Sequence, residues 1–405
     1  MNSSGYTAAQ GTVEAFLNGI IHQLYAMAKG EPTRLAIPVV ADADSIREIL
    51  TDSRRFPKSM GLVGTLGNSR FNTNGAEWET RRDLTQRFYQ LAGAPQNAAK
   101  ISAIYNARFA ACDTTPEAVQ RTLMLASSEI FFAALNCEVA VDGLHRLFEH
   151  ARHYVKRLQY CSWNPCSASD SRALIEEADQ LACEFEAEVQ KSSELGALIV
   201  TFGERAGALH DFNPLDELMM NFFAGIETTA ATLGFAIDRL GIDPRVEQRL
   251  HDEIHAGRGE PYLDCFVQET LRYFPTIPFV VRQAASDTVL KGTALARGQA
   301  FLISIVGLHH DTSHWNEPEV FDCSRGEFLS DSYDRRAFLP FLAGPRMCGG
   351  ARLARMELIE GLKAFIRHFT VKGETDEVRF DYGLALRPRP AANLMISRRT
   401  ISGET

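Results

Sequence analysis

The chain has 405 residues, 45% hydrophobic and 23% charged, with a formal net charge of −9. That is ordinary globular composition, with enough material for a core that encloses a cofactor, and the acidic balance argues against nucleic acid as a partner. The eight cysteines, at 112, 137, 161, 166, 183, 265, 323 and 348, show no paired metal-binding spacing, so most are read as buried, reduced thiols of a cytoplasmic protein.

Residues 1–30 hold no signal-like run, Phe16 to Met27 reads as a short helix, and no stretch reaches the length of a membrane span. A protein without an integral membrane segment is expected. Residues 30–60 read as β-rich, with a strand over Arg34–Val40, and then a helix from Asp42 to Asp52 that opens on a capping aspartate. A loop rich in Gly, Ser and Asn spans 57–75.

Residues 76–240 are mostly helical. Segments fall at Glu77–Leu91, then near 97–111, 115–136, 143–160 and 170–194. A long helix runs from Asp216 to about Leu240, interrupted at Ala224-Gly225. Helices over 244–256 and 261–273 follow. From Pro275 the pattern turns strand-like, at Phe279-Val280-Val281, Thr288-Val289-Leu290 and Ala300–Ile303. A helix over about Gly350–Phe369 and a strand-rich tail to Ile396 close the chain. The expected class is mainly α with a minor β part, as a single domain over 1–405, with β-rich parts at about 30–60, 275–305 and 369–396.

Four constellations carry chemistry. In the run from Phe341 through Gly344, Arg346 and Cys348 to Gly350, one cysteine sits in a glycine-rich loop just before a helix. A thiolate there is favoured by the helix dipole, by backbone amides and by a neighbouring cation, for which Arg346 is placed two residues earlier. Glu269 and Arg272 lie at i and i+3 on an apolar helix, and Arg325 is a candidate third member of a buried charge cluster. Ala224 and Gly225 precede Glu227 and Thr228 inside an apolar helix. A local distortion beside an acid and an alcohol can hold water and relay protons. Trp78, Arg82, Arg282 and Arg346 are donors suited to carboxylates. His309 and His310 are adjacent, so their side chains diverge, and they read as solvated or structural rather than as a metal pair.

With these residues in this order, the chain resembles the haem-thiolate monooxygenases, the cytochromes P450, over nearly its whole length. The family pattern Phe-x-x-Gly-x-Arg-x-Cys-x-Gly falls on Phe341, Gly344, Arg346, Cys348 and Gly350, and Glu-x-x-Arg on Glu269 and Arg272. Ala-Gly-x-Asp/Glu-Thr falls on Ala224 to Thr228, Trp-x-x-x-Arg on Trp78 and Arg82, and the segment completing the charge triad on Pro318, Phe321 and Arg325. Leu342 departs from the pattern, standing where many members carry a small residue, often glycine.

The resemblance implies the cytochrome P450 fold, with a long central helix and the cysteine-loop helix sandwiching haem b. Cys348 would bind the iron. Trp78, Arg82, Arg282 and Arg346 would hold the propionates, with Phe341, Ala224 and Gly350 lining the cofactor. Thr228 and Glu227 would stand over the distal face and deliver protons as O2 is activated. The family's substrate-contacting regions map onto 57–75, 155–175, Phe222-Phe223, 276–280 and 391–394. They offer Leu62, Val63, Phe71, Phe222, Ile277, Phe279, Val280 and Leu394, an apolar wall suited to a terpenoid, fatty acid or polyketide-like substrate.

A soluble, bacterial-type member is expected. No electron-transfer module fits in the remaining length, so electrons would come from a separate ferredoxin or flavodoxin with an NAD(P)H-dependent reductase. That partner would dock on Arg81, Arg87, Arg352 and Arg355. Alternatives within the family are desaturation, ring coupling and peroxide-driven oxidation. The acid–alcohol pair argues against peroxide use and against a haem sensor.

Overall fold

Several helix starts along the chain follow one local rule. A polar residue caps the first turn, and proline often follows at the first helical position, where its missing N–H costs nothing. Thr115-Pro116, Asn213-Pro214 and Asp243-Pro244 open three helices this way, each cap accepting a backbone N–H. The structure, a computed structural model, describes residues 10–59, 66–164, 166–205, 212–257, 260–373, 379–389 and 394–399.

The helices of the first half are α1 (Gln10–Ala28), α2 (Ala43–Thr51), α3 (Gly75–Ala92), α4 (Asn97–Ala110), α5 (Pro116–Ala133), α6 (Val141–Trp163), α7 (Ala168–Val189) and α8 (Ser193–Arg205). Then come α9 (Pro214–Leu240), α10 (Pro244–Ala256), α11 (Pro261–Tyr273), the short α12 (Ile305–His309) and α13 (Gly326–Leu329), and α14 (Ala351–His368). The aspartate cap expected for α2 is present, with Asp42 accepting the Ser45 N–H at 3.0 Å. Two expectations are corrected. The helix expected near 170–194 ends at Val189, and a second helix, α8, starts at Ser193 and runs to Arg205. The long helix α9 runs without a break through Ala224-Gly225, because the Thr228 hydroxyl bonds back onto the carbonyls of that turn without displacing its ladder.

The β part is small. Strand β1 (Val39–Val40) pairs in parallel with β5 (Ala300–Ser304), which pairs antiparallel with β2 (Phe279–Gln283), Val281 opposite Leu302. Two-stranded pairs join β3 (Thr288–Leu290) to β4 (Thr293–Leu295), β6 (Phe369–Lys372) to β9 (Met395–Arg398), and β7 (Phe380–Tyr382) to β8 (Leu386–Pro388). The first strand is shorter than the expected Arg34–Val40.

Helix α9 organises the interior. It packs against α5, α7, α8, α10, α11 and α14, and its second half is almost wholly buried. The approach of α14 to α9 and α4 depends on Gly361, where a Cβ would come 2.9 Å from Leu233 and 3.0 Å from the Tyr105 ring. This packing sets the start of α14, and with it the cysteine loop.

Candidate active site

The loop before α14 is closed by the Cys348 N–H, which donates to the Phe341 carbonyl at 2.9 Å. Gly344, at φ +71°, presses on the end of α2; a Cβ there would come 2.2 Å from the Leu50 carbonyl oxygen. Gly350 precedes α14, and its backbone N–H reaches the Cys348 sulfur. The thiol is open to water yet enclosed by protein on nearly every side, so it faces a cleft and not the outer surface. Burial raises its pKa, and the Gly350 N–H and the charges of Lys58 and Arg70 act in the opposite sense. The cations beside the sulfur are thus Lys58 and Arg70. Arg346 turns elsewhere, because its guanidinium lies over the Trp78 ring at 4.6 Å.

Around the cleft the cations outnumber the acids. Arg282 on β2 is 3% exposed, with one amino group unpartnered among the described residues. A short antiparallel bridge places Lys58 beside it, and the Lys58 ammonium donates to the Phe71 carbonyl at 2.7 Å. Burial pushes Arg346 down to about 9 and Arg282 down to about 10, and it lowers Lys58 as well. No carboxylate among the described residues faces these three groups, and unopposed buried charge is costly. Arg82 stacks on Trp78 at 5.1 Å but is part-exposed and bonded to Asp83 at 2.8 Å. It stands at the rim.

Helix α9 forms another wall. The Thr228 hydroxyl donates to the carbonyls of Ala224 and Gly225 at 3.2 and 3.3 Å. Glu227 is buried and turns to the flank, its carboxylate 3.9 Å from Arg152 on α6, and it also accepts the Ala385 N–H. Burial raises its pKa, with Arg152 and Arg387 opposing. Tyr89 links the two walls. Its ring lies where a Cβ on Gly349 would come within 2.7 Å, and its hydroxyl donates to Asn221 on α9.

A family model described as Cytochrome P450 matches residues 169–395. The chain belongs to the cytochrome P450 family. Cytochrome P450 3A5 of Homo sapiens is 34% identical over 214 residues, covering 49% of this chain and 43% of that protein. Probable cytochrome P450 6d4 of Drosophila melanogaster is 30% identical over 195 residues, covering 44% and 38%. Cytochrome P450 4V2 of Mus musculus is 31% identical over 224 residues, covering 51% and 42%. The match spans about two fifths of each relative's length. A zebra fish cytochrome P450 structure with progesterone superposes with a TM-score of 0.74 at 20% identity, covering 94% of this chain and 99% of that one. Its fold is the fold described above.

The cofactor of the cytochrome P450 family is haem b, and the residues here fit it. One cysteine faces the cleft. The three unopposed cations, with the spare Arg282 donor, match a group that carries two carboxylates. Phe341 flanks the loop, half-buried under the Arg355 guanidinium at 5.6 Å.

The expected charge triad is formed. Arg272 bonds Glu269 at 2.7 and 2.8 Å, and Arg325 bonds the same carboxylate at 2.8 and 3.0 Å. Surplus donors reach the carbonyls of His309, Pro318, Val320 and Asn316. His309 is structural: it accepts the Leu339 N–H at 2.9 Å and donates to the Arg272 carbonyl at 3.1 Å. His310 is equally buried.

The expected pocket residues scatter. Leu62 and Val63 lie outside the described residues. Phe71, Ile277 and Val280 are half-buried. Phe279 is mostly buried, packed against Trp163 and Tyr382. Phe222 is fully buried among the rings of Phe131, Phe132, Phe148 and Phe185, so it serves the core. Leu394 lies in a groove with Pro116, Gly234 and Ile237, further along α9. The β7–β8 hairpin turns back at 383–385 and brings Leu384 and Ala385 to this wall instead: Leu386 bonds the Thr276 carbonyl at 2.8 Å, and Leu384 packs on the α6–α9 cluster. Arg81, expected on the docking face, is 1% exposed and bound to Glu77 and Glu217. Arg70 was expected from sequence only as a polar member of the pocket wall, and Lys58, Tyr89 and Arg152 were not singled out at all. No local pattern marks them, since each arrives through tertiary contact.

Proposed function

We propose that the chain is a haem-thiolate monooxygenase that inserts one atom of O2 into a hydrophobic small molecule. The observation that carries this reading is a cysteine at the head of α14, facing a cleft lined by the buried Arg282 and Arg346 and the half-buried Lys58, which no carboxylate among the described residues opposes. Haem bound there supplies dioxygen activation, with thiolate donation favouring O–O cleavage. Cys348 holds the iron. Lys58, Arg282 and Arg346 bind the propionates through charge-assisted hydrogen bonds, and Arg82 and Trp78 close the rim. Tyr89 keeps α3 locked between the loop and α9. Thr228 presents a hydroxyl on the α9 wall, and Glu227, turned to the flank of the same helix, would serve as the acid of the proton relay.

Phe71, Ile277, Val280 and Leu384 offer the substrate an apolar surface, which suits a terpenoid, fatty acid or polyketide-like molecule. Progesterone, the ligand named for the zebra fish relative, is likewise hydrophobic. Electrons come from a separate ferredoxin or flavodoxin with its reductase, steered to the exposed Arg87, Arg352 and Arg355. None of the described helices is long and apolar enough to cross a membrane. The relatives named above are animal proteins, which lends no support to a bacterial-type member.

The ferrous carbonyl spectrum tests the ligand. A strongly red-shifted Soret band is expected, lost in Cys348→Ala. Reconstitution with a reductase chain then reads substrate-dependent consumption of O2 and NAD(P)H, with the product identified by mass spectrometry. Reduction by the partner is expected to slow as salt rises. A normal Soret position in the wild type would refute the reading.

A further inference from the structure

Helix α10 carries two histidines near its end, His251 and His255, four residues apart and so on one face. Their rings stack, with centroids 4.0 Å apart and planes 29° apart. The ring nitrogens are sorted by what they face. His255 Nδ1 lies 2.8 Å from the His251 carbonyl oxygen. A carbonyl only accepts, so Nδ1 carries the proton and the neutral ring keeps its lone pair on Nε2. His251 Nδ1 is buried without a hydrogen bond among the described residues, and an Asp252 carboxylate oxygen stands 3.5 Å from it. A proton on that nitrogen is drawn toward the acid, which leaves the lone pair on Nε2 here too. The His251 side chain is 24% exposed, so the ring still meets water beyond its buried nitrogen.

Ligand histidines are held in this way. A metal-bound imidazole nearly always turns its other nitrogen to a carbonyl or a carboxylate, which fixes the tautomer and raises the basicity of the ligating atom. Here one ring faces a carbonyl and the other a carboxylate. The surroundings also favour a cation. The pair sits in the last turns of α10, at the negative end of the helix dipole. Asp252 accepts the Gln248 amide at 2.7 Å, and no lysine or arginine among the described residues pairs with it. Arg249, two residues before His251, turns away, with its guanidinium over the Tyr262 ring at 3.8 Å. Glu253 is committed to the start of α11, where it accepts the Tyr262 and Leu263 N–H groups. Among the described residues no third His, Cys, Asp or Glu completes a ligand set, so water fills the remaining positions.

We propose that His251 and His255 form a surface site for a divalent transition metal of the imidazole-binding class, zinc or copper, held through both Nε2 atoms. Zinc at about 2.0–2.1 Å from each nitrogen sets them roughly 3.3 Å apart in a tetrahedral site. Rings with centroids 4.0 Å apart reach that spacing by tilting together at their outer edges. Two imidazoles suit zinc and copper, whereas magnesium and calcium prefer oxygen ligands. The bound ion ties two successive turns of α10 together, and it stabilises the folded chain as its concentration rises. Neither histidine belongs to the cysteine cleft, so the site does not rest on the monooxygenase reading.

The test titrates zinc chloride into the haem-loaded, untagged protein and follows the heat. Saturable binding is expected, weakened at least tenfold in His251→Asn and in His255→Asn, each of which leaves a single imidazole. The double variant His255→Ala, Ala256→His keeps two imidazoles but sets them about 140° apart around the helix; it is expected to bind as weakly as the single variants. Copper is expected to bind more tightly than zinc, and magnesium not at all. Zinc K-edge absorption of the loaded wild type is expected to show two imidazoles and no sulfur on the ion. A wild type that takes up neither metal, single variants within twofold of it, or a double variant that binds equally well overturns the site. So does a spectrum with sulfur or with fewer than two imidazoles. His255 and Ala256 are exposed and His251 half-exposed, so far-UV circular dichroism is expected to be unchanged in every variant. If one misfolds, the absorption spectrum of the wild type decides alone. None of these failures touches the haem or its reaction.

Discussion

Leu342 and Gly344 sit two residues apart in the cysteine loop, both with positive φ, at +59° and +71°. A side chain in the left-handed region costs roughly 1–2 kcal/mol, which accounts for the small residue that related loops carry at position 342. Leu342 offsets part of that strain by packing against the main core. Leu342→Gly is therefore expected to leave stability within about 1 kcal/mol of the wild type. Gly344→Ala is a different case, since its Cβ would collide with the Leu50 carbonyl oxygen at 2.2 Å. A loss of about 3 kcal/mol or more is expected, read as a lower urea midpoint together with weaker haem retention. Equal effects for the two would contradict this account of the loop. At this scale the sequence spoke clearly for Cys348 and not at all for Lys58. A cysteine between glycines before a helix is a local pattern. A half-buried lysine becomes a candidate for binding the cofactor's carboxylates only because a strand bridge sets it beside Arg282.

At the scale of elements, the triad ties α11 to the irregular stretch that precedes the cysteine loop. Glu269, Arg272 and Arg325 are all at most 3% exposed at the side chain, and one carboxylate serves both guanidiniums. Such a cluster is a poor source of net stability, but removing one member strands the others. Glu269→Gln is expected to cost about 3–5 kcal/mol, measured by denaturant unfolding of the haem-loaded protein. A change under about 1 kcal/mol would show that the charges are satisfied by the carbonyls alone. The spacing of Glu269 and Arg272 was legible, since i and i+3 share a helix face. The order of the pocket was not. The resemblance places Leu394 at the wall, whereas the hairpin turns at 383–385 and delivers Leu384 and Ala385. The resemblance maps Phe222 onto a substrate-contacting region, but helical rotation aims it at α5, α6 and α7.

Four buried groups set an expected pH profile for the whole molecule. Burial raises Glu217 to about 7 and Glu357 to about 8, and lowers His309 and His310 to about 3. An acid with a raised pKa stays protonated in the fold while the unfolded chain ionises from about 4.5 upward. Stability therefore falls with rising pH up to about 7 and 8, by at most ~1.4 kcal/mol per unit for each group. The histidines act in the other direction. The unfolded chain gains protons below 6.5 that the fold refuses until about 3, so stability is lost as pH falls through that window. The two trends oppose one another between 4.5 and 6.5, and a broad maximum is expected there. Urea midpoints across pH check it. The double variant Glu217→Gln, Glu357→Gln is expected to lose most of the decline between pH 6.5 and 8, and an unaltered alkaline limb would rule these acids out.

What the sequence determined by itself was everything carried by local spacing: the aspartate cap of α2, the glycine-rich loop around Cys348, the Glu269–Arg272 step and the Glu227–Thr228 pair. Short-range stereochemistry fixes these, so a few neighbouring residues suffice to read them. Only the tertiary structure decided which cations face the sulfur, that Arg81 is buried, which hairpin turn reaches α9, and that Glu227 turns to Arg152 on α6. Those facts depend on how α3, α6, α14 and the terminal hairpin pack around α9, and that packing joins residues more than two hundred positions apart.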